Sequence, residues 1–469
     1  MDVLSPLDSR YRNELKGYHE VASEEAFIMY RAKIELLYLE FLIDELSSVG
    51  LVKPINDEER RRLRDIKLSD GDINEVRRLE DELGHDVKAI EYVLRSKLKG
   101  IGLEHYAHLI HLGLTSEDVN NLAMGIMLKR ILYEYLIPSL VDLGRVLVNL
   151  SIKYADTPMI ARTHGQPATP TTFGKEMAYH AYRLCSWVST LINLRVNGKV
   201  AGASGSMASF TMITQLDWPR ELMKFVSSLG LEPTPVSTQI LPPDNLTHIL
   251  AVIGLTSYSL INLAQDLWMY SMLGYIKFRG RAIGSSTMPH KVNPVDLENA
   301  EGNLKLGSSI LMEVSKILQS SRLQRDLSDS TIKRNLGLAV GYVILGSRRL
   351  RKFLEGVEVN EEALINDLNN HWEVLSEAVQ VRLRVLGQAD AYEKSLRLFR
   401  MPRMSMNDYL NAIKELGVND ELLLNLKPSS YVGYAGVIAR NVTESCMQAL
   451  NKAEEACIKE SEVIRSLGF

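Results

Sequence analysis

Between Asn245 and Ile276 the chain carries one charged side chain, Asp266, and this long uncharged stretch constrains the fold more than any other feature. Ile249, Ile253, Leu260, Leu263, Leu267 and Tyr270 recur at helical spacing, and other apolar residues fill the remaining faces. A helix apolar nearly all round is buried on every side. It does not read as a membrane span, because Asn262, Gln265 and Asp266 cluster in it with Thr256, Ser257 and Ser259, and no apolar run approaches the roughly 20 residues a crossing needs. A thick helix bundle follows, most easily made by several subunits together.

The helical period dominates elsewhere too, and strand-like alternation is short and rare. It predicts helices over Glu24 to Val49, Glu58 to Lys67, Ile73 to Leu83 and Asp86 to Lys99, then longer ones over Glu117 to Tyr154, Phe173 to Asn197, Asn245 to Ile276, Pro294 to Gln319 and Lys333 to Leu354. Pro138 should kink the Glu117 helix, and Gly198 to Thr214, rich in small residues, reads as a loop or short hairpin. Five long helices of this kind suit an up-and-down bundle. After Val359 the segments shorten, with turns at Met401-Pro402 and Lys427-Pro428. The expected architecture is all-α, in three helical domains: 1–111, a central long-helix domain 112–356, and a small C-terminal domain 357–469.

At 469 residues the chain is too long for a single ordinary core. Charged residues make up 24% and the formal net charge is −4, a balance without the basic excess that nucleic-acid binding needs. Cys185, Cys446 and Cys457 are too few and too scattered for a disulfide framework or a metal site, which fits a reducing cytoplasm. Met1 to Arg12 lacks the apolar core of a signal peptide. Neither a Gly-rich phosphate loop nor a Cys/His metal motif is present.

Chemistry concentrates in Gly284-Ser285-Ser286-Thr287-Met288-Pro289-His290-Lys291-Val292-Asn293-Pro294. Hydroxyls, an ammonium and a carboxamide share a short loop stiffened by prolines, a combination that can hold carboxylates and take a proton. Ser285 or Ser286 can act as a base only where its alkoxide is stabilised, by loop amides or Lys291. Further candidates are Arg162-Thr163-His164-Gly165-Gln166-Pro167-Ala168-Thr169-Pro170, His85-Asp86, Thr115-Ser116-Glu117-Asp118 and Gln324-Arg325-Asp326-Leu327-Ser328-Asp329-Ser330. His85 reads as an N-cap, and Thr115 and Ser116 as a cap whose freed amides can also hold a carboxylate.

The Gly284 to Pro294 loop resembles the signature loop of the fumarase/aspartase superfamily. With the His164 and Arg325 segments and the Ser5 to Tyr11 opening, the chain is similar to the adenylosuccinate lyases in their bacterial form, from Ser5 to about Tyr434. That resemblance implies anti elimination of fumarate from adenylosuccinate, giving AMP, and from the succinylated aminoimidazole carboxamide ribotide (SAICAR), giving AICAR, without a cofactor or metal. It implies Ser285 as base, His164 as acid paired with Glu298, and catalytic parts for His85 and Lys291. Arg10, Tyr11, Arg325, Ser330 and Arg334 would hold phosphate and sugar, while Asp86, Thr115, Ser116, Thr163, Gln239, Ser286 and Asn293 would contact substrate. Ser9 and Gly84 stand where such relatives usually have Gly and Asn. A homotetramer whose sites are each shared by three subunits is implied, with small-molecule substrates and no nucleic-acid or membrane partner. Another fumarate-releasing lyase, or a crystallin-like structural protein, is the alternative.

Overall fold

A computed structural model of the chain describes residues 4–278, 287, 288, 290–401 and 403–469. Its helices begin where the sequence supplies caps. Ser23 Oγ accepts the Ala26 amide at 3.1 Å to start α1 (Glu24–Ser48), and His85 caps α2 (Asp86–Gly100). Thr115 opens α3 (Ser116–Arg130), which passes through a π-helical segment, Ile131–Leu136, into α4 (Ile137–Lys153). The Glu117 to Tyr154 expectation is thus met by three pieces. Pro138 sits in the first turn of α4, and the wider π turn before it accommodates the amide that proline lacks.

A hairpin of β1 (Pro158–Thr163) and β2 (Gln166–Thr172) leads into α5 (Phe173–Asn193). Gly174 lets α5 press on the end of α4, since a Cβ there would lie 2.4 Å from the Ser151 carbonyl. The uncharged stretch forms α6 (Asp244–Met272), followed by α7 (Val295–Ile317), the short α8 (Ser328–Lys333) and α9 (Leu336–Glu355). Helix α7 packs between α6 and α9, while α4 and α5 pack together and α5 closes on α6. The fold is all-α in character. Gly198 to Thr214 forms no hairpin: Asn197–Gly198 pairs in parallel with Glu232–Pro233, and Ala208–Thr211 is a helical turn.

By composition α6 and the Ser116–Lys153 stretch do reach the length and hydropathy of a membrane crossing, contrary to the reading that no run comes close. Their apolar windows are 67% and 61% buried within the chain, so that surface is used for packing. Trp372, Leu375, Val379, Leu383, Phe399, Tyr409 and Ile413 form a small core of their own. The last helix, α10 (Ala435–Ser466), returns to lie along α4 and α5 and adds Leu450 and Ala453 to the main core. The cysteines are less scattered than their numbers suggest: Cys185 on α5 and Cys446 on α10 are joined as a disulfide with Cα atoms 5.5 Å apart, while Cys457 is free and buried.

Candidate active site

The candidate residues fall into three places. The first is a pocket between the start of α3, the segment before α6, and α8, lined by Asp86, Glu117, Asn121, Ser330, Lys333 and Arg334 among others. His85 serves both readings made of it. Its Nδ1 accepts the Lys88 amide at 3.2 Å and caps α2, and its Nε2 lies 3.3 Å from Ser116 Oγ. Ser116 in turn sits at the N-terminus of α3, where the helix dipole and unpaired amides favour an anion.

Beside the pocket, Arg325 donates to Gln239 Oε1 at 3.1 Å and lies 3.6 Å from Glu117, and Gln239 Nε2 donates to the Ala203 carbonyl at 2.9 Å. Arg334 pairs with Glu24 and lies 3.5 Å from Asp86, which also pairs with the buried Arg31. Burial works to raise the Asp86 pKa, but the Arg31 guanidinium, the Val87 amide and Arg334 hold its carboxyl below the usual range. Glu117 goes the other way. Burial pushes it up and neighbouring Asp329 adds to this, against the pull of Lys333 and Arg325. Glu117 entered the sequence reading only within the Thr115 cap segment, and Lys333 and Arg31 were not singled out; Lys333, one turn after Asp329 and beside Arg334, gave a signal in its charge spacing.

The second place is the hairpin tip. His164 and Gly165 both take left-handed backbone angles, φ 53° and 76°, between the paired residues Thr163 and Gln166. This is the signature of a two-residue type I′ turn, whose second position suits Gly. A histidine held there is unusual and projects from the strands, exposed along with Thr163. Behind it Arg162 anchors the hairpin by pairing with Asp367 at 2.5 Å, and Tyr275 meets the same carboxylate. Among the described residues no hydrogen bond or ion pair links His164 to Glu298, His85 or Ser116.

The third place is the start of α7. Glu298 is exposed and accepts from Trp268 Nε1 at 3.3 Å. Its neighbour Asn299 donates to the Tyr11 hydroxyl at 2.9 Å, with Arg10 over the Tyr11 ring. Tyr11 therefore docks on α7, and among the described residues no hydrogen bond joins Arg10 or Tyr11 to Arg325, Ser330 or Arg334. Lys291 is exposed and Asn293 half-buried just before the helix; Ser285 and Ser286 lie outside the described residues. No group of three or more metal-ligating side chains occurs among the described residues.

Comparison with known proteins bears on all three places. A lyase family model matches residues 16–307, and the adenylosuccinate lyase C-terminal model matches residues 321–432. The chain is 36% identical over 444 residues to adenylosuccinate lyase from Escherichia coli K12, covering 93% of this chain and 97% of that one, and 36% identical with the same coverage to the Haemophilus influenzae protein of that name. The relative from Legionella pneumophila strain Corby is 35% identical, again over 93% and 97%. Among solved structures, 3-carboxy-cis,cis-muconate lactonizing enzyme from Pseudomonas putida superposes with a TM-score of 0.74 at 21% identity, over 92% of this chain and 97% of that one. Fumarate lyase from Mesorhizobium sp. BNC1 gives 0.68 at 19%, over 91% and 97%. By its matched models and by identity along nearly its whole length, the chain belongs to the adenylosuccinate lyase family.

Proposed function

We propose that the protein cleaves adenylosuccinate to AMP and fumarate, and SAICAR to AICAR and fumarate, by β-elimination. The observation that carries this reading is the pocket lined by Ser330, Lys333 and Arg334, with two neighbours of its lining residue Glu117 beside it: Ser116 at the α3 N-terminus, suited to a carboxylate, and Arg325, a further cation for a phosphate. A substrate bearing both ends fits it better than a plain dicarboxylate.

In the proposed mechanism Ser285, as alkoxide, removes the proton from the carbon beside the succinyl carboxylate. Lys291, Asn293 and the α3 N-terminus stabilise the aci-carboxylate that results. The carbon–nitrogen bond then breaks, its electron pair leaves on the exocyclic nitrogen, and His164 supplies that nitrogen with a proton while fumarate departs. Glu298 would hold the imidazole in the tautomer required. Thr115 and Thr163 add hydroxyls to the carboxylates, Gln239 an amide, and Arg10 and Tyr11 close the nucleotide end.

Among the described residues no hydrogen bond or ion pair joins His164 to the His85 pocket, which supports a site completed by another copy. Homotetrameric assembly is supported by the apolar side chains left exposed along the bundle, among them Leu255, Tyr258, Met269 and Met272 on α6, Tyr182 on α5 and Leu306 on α7. The helix that composition marks as buried on all sides would be covered by its copies. We read the chain as units 1–111, 112–356 and 357–469, the last sending α10 back to the bundle, and the protein as cytoplasmic, where such substrates are made. Fumarate release measured side by side from adenylosuccinate, SAICAR, argininosuccinate, aspartate and malate tests the reading; preference for any but the first two overturns it.

A further inference from the structure

Asp118 on α3 is fully buried and so is its partner Lys199, at 0% and 1% exposure. The carboxylate collects four donors. Oδ1 accepts Lys199 Nζ at 2.7 Å and the Ala201 amide at 2.9 Å; Oδ2 accepts the Gly202 amide at 3.0 Å and the Thr115 amide at 2.9 Å. One turn on, Asn121 accepts the Lys199 amide at 2.9 Å and donates to the Lys199 carbonyl at 3.1 Å, clamping the same segment. A carboxylate satisfies all four donors, whereas a carboxamide would turn its NH₂ toward the two that share one oxygen.

The donors of this carboxylate lead to two pairs of side chains beside the pocket, both adjoining its lining residue Glu117, which follows Ser116 and lies 3.6 Å from Arg325. Through the Thr115 amide it fixes the cap whose next residue, Ser116, meets His85. Through Ala201 and Gly202 it fixes the segment whose Ala203 carbonyl takes Gln239, which holds Arg325. That segment has no slack: Gly205 has φ 83°, and a Cβ there would lie 2.1 Å from the Ser237 carbonyl, two residues before Gln239. We infer that Asp118, with Lys199 as counterion, is a positioning residue that sets the distance between the Ser116–His85 pair and the Gln239–Arg325 pair beside the pocket. It touches no substrate. The inference rests on the pocket being the substrate site proposed above.

A buried pair of opposite charges can often be replaced together at little cost to stability, whereas removing one partner leaves the other stranded. Three variants exploit this. Lys199→Met should lower Tm clearly, and Asp118→Asn with Lys199→Met should regain much of that loss. Relative to wild type, the double variant should still show kcat/KM reduced roughly ten- to a hundredfold, because side-chain pairs misplaced by a fraction of an ångström no longer match the substrate. Recovery of both Tm and wild-type kcat/KM in the double variant overturns the inference, for the pair would then be structural only. Should the double variant not assemble, Asp118→Glu decides: the charge is kept but displaced by one methylene, so an unchanged kcat/KM overturns the inference and a loss of similar size with tetramer retained supports it. Wild-type protein is assayed first on the fumarate-releasing substrates, and the variants on whichever it turns over. A wild type idle on all of them sinks the functional reading and this inference with it, a result distinct from an active wild type matched by its double variant.

Discussion

The His85 pocket and the His164 hairpin are built on opposite plans. In and beside the pocket the charged side chains already have partners within the chain: Asp86 has Arg31 and Arg334, Arg325 has Gln239 and Glu117, and Lys333 lies 2.7 Å from Asp329. At the hairpin the anchoring is all behind the tip, through Arg162 and Asp367, and His164 itself points outward from a strained backbone position. The contrast teaches that this chain pre-arranges one part of its chemistry and presents another part to something outside itself. Burying charge costs heavily unless it is paired, so the pocket must be finished during folding. An exposed imidazole carries no such cost and can wait for a neighbour.

The largest effect should come from removing the exposed member. His164→Asn keeps a residue that tolerates the left-handed turn but deletes the proton donor, so turnover should fall on the order of 10²-fold or more with Tm unchanged. A loss of Tm instead would mean that the histidine serves the turn. Next, His164→Asn and His85→Asn proteins, each impaired alone, should recover part of the activity when mixed under conditions that exchange subunits, because some sites would then draw both intact residues from different copies. Asparagine at 85 preserves the α2 cap. Exchange verified by mass, with no recovery, would put both histidines in one chain's site and erase the contrast.

A smaller change is expected from Arg334→Ala. If the arginine grips a phosphate remote from the breaking bond, KM should rise about tenfold while kcat moves little, since ground and transition states are held alike. Succinyladenosine, which lacks the phosphate, should be poor for wild type and no poorer for the variant; equal losses on both substrates would make Arg334 a structural partner of Glu24 and Asp86. The smallest effect concerns His111, whose Nδ1 lies 2.6 Å from Glu35. Burial lowers its pKa, but the hydrogen bond and charge of Glu35, with Glu91 and Asp118, more than offset this and hold it above 6.5. A folded pKa above the unfolded one means that this stability is complete below about pH 6.5 and drains as pH rises through the folded value. The Tm gap between wild type and His111→Asn should therefore be wider at about pH 6 than at about pH 9; a gap independent of pH would remove the charge from the account.

Much of this was legible in the residues. Ser23, His85 and Thr115 announce helix starts through local hydrogen bonds, and the apolar period of Asn245 to Ile276 sets a buried helix because burial is repeated every turn. What escaped depends on residues far apart in sequence. Nothing near Cys185 announces Cys446, 261 positions away. Nothing in Ala435 to Ser466 says that it passes the small core and returns to α4 and α5. At the candidate site the same rule holds: His85 and Ser116 could be named from their caps, but that they face each other, and that Glu117 and Lys333 share their pocket, follows from packing. Tyr11 was grouped with the phosphate residues by resemblance, whereas its hydroxyl meets Asn299 on α7.

The π-helical segment at Ile131–Leu136 has a further effect on the rod that runs from Ser116 to Lys153. Each residue added to a helix turns everything after it by about 100°, so a single wide turn re-aims the whole second half without bending it away. Before the turn, the rod packs on α1, touches α10 through Lys129 and Glu460, and offers its polar tip to the pocket; after it, the rod packs on α5, α9 and α10. One continuous element thereby meets two sets of neighbours whose surfaces a regular helix of the same sequence could not serve together. Deleting one residue from that segment should rotate the pocket's Ser116 tip out of phase with the bundle even though every side chain of the site is still present.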